Sequence, residues 1–257
     1  MDILLFGLAA LGIYMSFLFV CALIGKNNGI ADVGYGVAFM VLVATVWWCA
    51  PNVSEYALIL AALPFIWGVR LAFRIGRKNW GKPEDFRYRA WREAWGRTFV
   101  VRSFLQIYML QGLVVFVVAL PVTLALVFPA LIVNPQIFFL GIGLWIVGFL
   151  FESVADLQLD RFIRNPENKG KIMMSGLWRY SRHPNYFGES MMWWGIAIAA
   201  SGISALPLLG FVSPLLITYL LLFVSGVPLL EKRWEGNPEW DAYKARTSVF
   251  IPLPVKK

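Results

Sequence analysis

Apolar runs of about twenty residues, broken by short polar stretches, recur along the whole of this 257-residue chain, and nothing constrains its fold more. A helix needs about 20 mostly apolar residues to cross the hydrocarbon core of a bilayer. Seven stretches qualify, at roughly 2–24, 33–50, 56–75, 104–128, 136–160, 186–203 and 207–231. Lipid offers the backbone no hydrogen-bond partners, so spanning segments of this kind must bond within themselves as helices. Hydrophobic residues make up 59% of the chain and charged ones 15%, a balance that suits a membrane bundle and not a soluble domain. The sequence therefore predicts an all-α integral membrane protein with seven transmembrane helices, forming one domain over residues 1–257.

The charges sort themselves by side. Connections near 51–55, 129–135 and 203–206 carry no Lys or Arg, whereas 76–103, 161–185 and 232–257 carry almost all of them. Lys26, Arg70 and Arg74 lie at helix ends on the same side, so all 23 basic residues fall on one face in the seven-span arrangement. The positive-inside bias makes that face cytoplasmic, with the N-terminus outside and the C-terminus inside. A multi-pass location follows, in the inner membrane of a bacterium or the endoplasmic reticulum of a eukaryote. The net charge of +8 is thus topological and points to lipid headgroups, not nucleic acid. Cys21 and Cys49 lie in apolar runs and form no metal-ligand pair. The first apolar run lacks a basic n-region and a small-residue cleavage site, which predicts a retained first helix.

Several polar residues fall where the pattern calls for apolar ones. Asp32 lies at or just inside the membrane boundary of the second helix, with Tyr35 three residues on, on the same face. An ionisable residue there is either a helix N-cap or a functional group. The segment from Asn79 to Tyr88, which includes Arg87, mixes amide, acid, base and aromatic residues, a combination suited to the phosphates and flat base of a nucleotide. At the end of the fifth helix Glu152, Asp156 and Asp160 recur every four residues along one stripe. Acids at a helix C-terminus oppose the helix dipole, so a hydrogen-bonding role, such as holding ribose hydroxyls or orienting Arg, is expected of them.

The densest polar and aromatic stretch is Gly176-Leu-Trp-Arg-Tyr-Ser-Arg-His-Pro-Asn-Tyr-Phe-Gly-Glu189. Pro184 suits the first turn of a helix. Asn185 and Glu189 then share a face beside backbone N–H groups that favour an anionic ligand. His183, the sole histidine, reads as a hydrogen-bonded helix-start residue and not as a base. GxGxxG, GxxxxGK[ST], HExxH and GxSxG are all missing, and one His without a Cys pair assembles no metal site.

These motifs, together with Ala155-Asp-Leu-Gln-Leu-Asp-Arg-Phe162 and Asn79-Trp-Gly-Lys-Pro-Glu-Asp-Phe-Arg-Tyr88, resemble the steroid 5α-reductase family in its bacterial-type branch. The resemblance runs from about Asn28 to the Ile-Pro tail. The same superfamily holds isoprenylcysteine methyltransferases and sterol reductases. The resemblance implies a seven-helix enzyme that binds NADPH from the cytosol and reduces the Δ4 double bond of a 3-oxo steroid or similar lipid enone. By position it makes Asp156, Asn185 and Glu189 cofactor contacts, with Arg164, Lys171 and Asn79 near further ones. Arg87, Glu152, Tyr180, Arg182, His183 and Arg233 complete the expected cofactor set. Asp32 falls where the family has a ketone-binding glutamate, and Trp67 stands where its tyrosine partner is found, so the expected substitute is Tyr35 or another tyrosine that reaches in from elsewhere. Asp32 would polarise the ketone best if protonated, which low-dielectric surroundings promote. The alternatives are an S-adenosylmethionine-dependent membrane methyltransferase and a non-enzymatic lipid-binding or transport protein.

Overall fold

The computed structural model describes residues 2–255, whose regular elements are all helical, with no strand among them. Six helical segments among these residues are long and apolar enough to cross a membrane: Asp2–Gly25, Ile30–Cys49, Glu55–Asn79, Phe86–Val118, Pro135–Arg164 and Pro207–Trp234. The expected seventh span folds as a helix of 18 residues, Pro184–Ser201, that falls outside the six. Asn185, Gly188, Glu189 and Ser190 occupy its first two turns and dilute its apolar character.

The elements in order are α1 (Asp2–Gly25), α2 (Ile30–Cys49), α3 (Glu55–Asn79), α4 (Phe86–Trp95), α5 (Phe99–Ser103), α6 (Leu110–Val118) and α7 (Leu120–Val127). They are followed by α8 (Pro135–Arg164), α9 (Pro184–Ser201), α10 (Pro207–Gly210), α11 (Val212–Tyr219), α12 (Val227–Glu231) and α13 (Pro238–Arg246). Helix α3 starts where the Ser54 side chain accepts from the Ala57 N–H, and ends on Arg77 and Lys78, which complement its dipole. The expected helix over 104–128 begins earlier and is interrupted. A π-helical turn at Phe104–Met109 joins α5 to α6, and Pro121, lacking an N–H, starts a new helix at α7. The last span is also segmented: α11 runs through a second π turn, Leu220–Val224, and α12 follows Gly226.

The chain divides into two compact units, one running to Phe138 and including Ala200–Val212, the other comprising Phe139–Ala199 and the residues from Ser213 onward. In the first, α2 and α3 touch backbone to backbone, since a Cβ on Gly36 would lie 2.5 Å from the Gly68 carbonyl oxygen. Phe39, Leu42, Val43, Leu60 and Trp67 are buried around that contact. In the second, glycines seven residues apart on α8 face glycines seven residues apart on α9. Gly141 meets Gly195 and Ala199, while Gly148 meets Gly188 and Met192, so the two helices run antiparallel. Lipid is as apolar as leucine and gives helices no hydrophobic reason to associate, so close backbone approach of this kind is what holds membrane helices together. The same seam sets Glu152, on α8, against Gly188, near the start of α9.

Candidate functional site

In the first unit the polar residues gather around the start of α2. Asp85 caps α4, its carboxylate accepting from the Arg87 backbone N–H at 2.9 Å, and α4 then presents Arg87 and Tyr88 to Asp32. Tyr88 donates its hydroxyl to Asp32 Oδ1 at 2.6 Å, and Arg87 Nη2 donates to Asp32 Oδ2 at 3.0 Å. Arg87 Nε is spent on Asp85 Oδ1 at 2.9 Å. A second set adjoins on the same segments. Glu84 accepts from the Asn28 backbone N–H at 2.8 Å and takes both Nε and Nη2 of Arg92, at 3.1 and 2.8 Å. Asn28 in turn accepts from Tyr108, a fully buried phenol on the π turn. Such turns concentrate at functional sites, and a buried polar network whose members are bonded fixes one geometry.

Asp32 thus holds a phenol on one oxygen and a guanidinium on the other, two partners that fix the orientation of its carboxyl group. The phenol is Tyr88, a tyrosine that reaches in from α4, and the ring of Tyr35 packs edge-on against Phe39 and Trp67. Arg87, expected on a cofactor, is committed to two aspartates. A guanidinium carries five N–H donors. Two are in use here, which leaves others for an oxygen on a substrate. Asn79 ends α3, with its carbonyl accepting from Lys82.

Burial raises the pKa of Glu84, but its bonds from Arg92 and Asn28 prevail and hold it below the usual carboxylate range; Asp85 is held low in the same way by Arg87. A depressed carboxylate contributes stability that is present above its unfolded pKa of about 4.3 and is lost as pH falls through the folded value. Glu84→Gln is therefore expected to lower Tm at pH 7 by about 2–4 °C, the shift produced by one hydrogen bond of about 1 kcal/mol in a chain this long. In thermal melts in detergent the gap between variant and wild type should close below pH 4. A gap that persists there would separate the clamp from Glu84 ionisation.

In the second unit the 176–189 stretch docks on the end of α8 before it enters α9. Gly176 turns with φ of 63°, a conformation other residues rarely adopt, and a Cβ there would lie 2.5 Å from Gln158 Oε1. The Leu177 N–H donates to that oxygen at 2.9 Å, and Trp178 Nε1 donates to the Ala155 carbonyl at 3.0 Å. Glu152 and Asp156 are 3% and 2% exposed, far from the solvated acids usual at a helix end. The C-terminal tail covers this stretch. Arg182 N–H donates to Ser248 O, Ser181 Oγ to Phe250 O, Leu253 N–H to Tyr180 O, and Tyr243 donates its hydroxyl to Trp178 O. Burial pushes the Tyr243 phenol up against the pull of Arg182 and Arg246, which keeps it a donor.

Glu231, at the end of α12, gathers the charges. Its Oε1 lies 3.1 Å from both Arg182 Nε and His183 Nε2, and Oε2 lies 3.7 Å from Lys244 Nζ. His183 Nδ1 and Asn185 Oδ1 are buried and bonded to no protein group. Buried polar atoms are nearly always bonded, so these two, one on either side of Pro184, mark where a ligand would complete the site. Glu189 lies one turn beyond Asn185 on α9. Arg164, Lys171, Tyr180 and Arg233 are exposed, the last over the ring of Trp234. Tyr88, Tyr108, Asn28, Glu84, Glu231 and Lys244 were not picked out as site residues from sequence. No group of His, Cys and acidic residues among the described residues is arranged to hold a metal.

A family model described as a protein of unknown function, DUF1295, matches residues 18–247. The human protein named 3-oxo-5-alpha-steroid 4-dehydrogenase 1 is 44% identical over 117 residues, which are 45% of this chain and 41% of that one. Its counterpart from Macaca fascicularis is 35% identical over a stretch of the same length and shares. The chain thus aligns with about two fifths of the length of these curated relatives. A probable O-methyltransferase of Ustilaginoidea virens is 36% identical over 63 residues, 24% of this chain and 22% of that one. No solved structure matches at a comparable level.

Proposed function

The chain belongs to the DUF1295 family, a steroid 5α-reductase-like group, and from that premise we propose that it is an NADPH-dependent reductase of the Δ4 double bond of 3-oxo steroids or similar lipid enones. The observation that carries this reading is the carboxylate of Asp32 holding a phenol and a guanidinium at the start of a spanning helix. Hydride addition to the β-carbon of an enone moves negative charge onto the carbonyl oxygen, and a proton then adds at the α-carbon. Donors fixed in advance around that oxygen lower the barrier, and they act most strongly where water is excluded. Arg87, with N–H groups beyond those on Asp32 and Asp85, is the donor, and Asp32, itself held by the one hydrogen of the Tyr88 hydroxyl, sets its geometry.

The residues of the 176–189 stretch suit a nicotinamide nucleotide. Buried acids at Glu152 and Asp156, the unbonded atoms of His183 and Asn185, and Glu189 would hold its hydroxyl and amide groups, with Arg182 supplying positive charge. NADPH, when bound, supplies the hydride. We take α9 as the seventh span of a single domain, with the basic loops and tail in the cytoplasm and the N-terminus outside, so that a soluble cofactor and a membrane-dissolved substrate are both served.

The relation to a probable O-methyltransferase favours a second reading, in which the same stretch holds S-adenosylmethionine. Titration of the detergent-purified protein separates the two. NADPH at a hundredfold excess over its Kd is expected to stabilise the protein by about 2.7 kcal/mol, whereas S-adenosylmethionine leaves its melting unchanged. With progesterone or testosterone present, NADPH should be consumed and the 4,5-dihydro steroid formed. Stabilisation by S-adenosylmethionine alone would overturn the reductase reading, and stabilisation by neither would favour a non-enzymatic lipid binder.

A further inference from the structure

His183 is 3% exposed and held from three directions. It stacks on Tyr186 with centroids 5.6 Å apart and planes 10° from parallel. Its backbone N–H donates to Ser181 Oγ at 3.1 Å, and its Nε2 lies 3.1 Å from Glu231 Oε1. Only Nδ1 is left without a partner. Glu231 already faces two permanent cations, Arg182 and Lys244, which hold it as a carboxylate. A carboxylate only accepts, so the hydrogen between Glu231 and His183 sits on Nε2. In a neutral imidazole that hydrogen on Nε2 leaves Nδ1 a bare acceptor.

We infer that Glu231 is a positioning residue that fixes the Nε2–H tautomer of His183, so that Nδ1 accepts a hydrogen from a hydroxyl or amide N–H of the ligand seated at the start of α9. The inference rests on the cofactor reading above, since a nicotinamide nucleotide carries donors of both kinds, on its sugars and on its carboxamide. Asn185 Oδ1, also buried and unbonded, offers a second acceptor to groups of the same class. The first turn of α9 thus recognises donors. The anion expected there from sequence has no hydrogen to give these two atoms.

His183 is the one histidine of the chain, so this chain labelled with nitrogen-15 histidine gives a single pair of ring resonances in detergent micelles. Before cofactor is added, Nε2 should carry the proton and Nδ1 should resonate as an unprotonated nitrogen. Glu231→Gln, whose amide offers a donor as readily as an acceptor, should mix the tautomers. Saturating NADPH should shift Nδ1 more than Nε2. A proton on Nδ1 in the wild type, or an Nδ1 unmoved by bound NADPH, overturns the inference.

Calorimetry supplies a second readout. His183→Gln places its amide near the Nε2 position and keeps the contact to Glu231, yet should weaken NADPH binding about tenfold, the effect of one lost hydrogen bond. His183→Asn places its amide near Nδ1 and should weaken it by no more than about threefold. Equal binding by His183→Gln and wild type, or equal loss in both variants, also overturns it. Wild-type protein that binds no NADPH counts against the cofactor reading, while the tautomer measurement still decides the role of Glu231.

Discussion

Exchange of Asp32 for asparagine is expected to lower kcat for enone reduction about 10²- to 10³-fold, the range seen when a preorganised oxyanion donor is lost, while the KM for NADPH stays near its wild-type value. Aspartate offers only acceptors, one oxygen to Tyr88 and one to Arg87. Asparagine has one acceptor and one N–H₂, so one of the two donors meets another donor and must turn away. Tyr88 is 5% exposed and finds no water in exchange. Tyr88→Phe removes a single hydroxyl and should cost about tenfold. Groups that act as a unit are not additive, so the double variant should fall well short of the product of the two losses. Steady-state kinetics on detergent-purified variants with matched melting curves gives the comparison. An intact Asp32→Asn protein with full turnover removes Asp32 from the reaction.

Asp32 was legible in the sequence because an ionisable residue in an apolar run stands out by itself. Its partner was not. Spacing along one helix points to Tyr35, three residues away, whereas the hydroxyl on Asp32 belongs to Tyr88, 56 residues on and presented by α4 across a loop. Only the mixed composition of the Asn79-to-Tyr88 segment hinted at it, and composition suggested a nucleotide instead of the acid nearby. Glu231 had a readable signal. It is an acid at the C-terminal end of an apolar run, where the helix dipole disfavours it. The same argument singled out Glu152 and Asp156, and both are buried. The apolar runs gave six of the seven expected spans, and the seventh is an 18-residue helix whose first two turns carry Asn185, Glu189 and Ser190. The π turns at Phe104–Met109 and Leu220–Val224 carry no sequence mark, because each depends on how neighbouring residues pack.

The seven-residue spacing of Gly141 and Gly148, and of Gly188 and Gly195, was visible in the chain, but not which pair faced which. Their antiparallel seam leads to the second large effect. A Cβ on Gly188 would sit 2.5 Å from the Glu152 backbone nitrogen and 2.7 Å from the Gly148 carbonyl oxygen. Backbone atoms cannot swing aside as the end of a side chain can, so valine at Gly188 must drive α8 and α9 apart. Overpacking costs about 1–3 kcal/mol where side chains can adjust, and a rigid seam belongs at or beyond the upper end. Separation also carries Glu152 and Asp156 away from the start of α9, where the cofactor is proposed to bind. Gly188→Val is therefore expected to lower Tm and to weaken NADPH binding about 10²-fold or more, equivalent to about 2.7 kcal/mol. Gly143, on the same helix α8, supplies the control, since a Cβ there meets nothing within 4 Å. Gly143→Val should change stability by no more than about 0.5 kcal/mol and leave binding intact. Calorimetric titration of both variants with NADPH decides the matter: equal affinity in the two would show that the glycine seam holds the helices without setting the site.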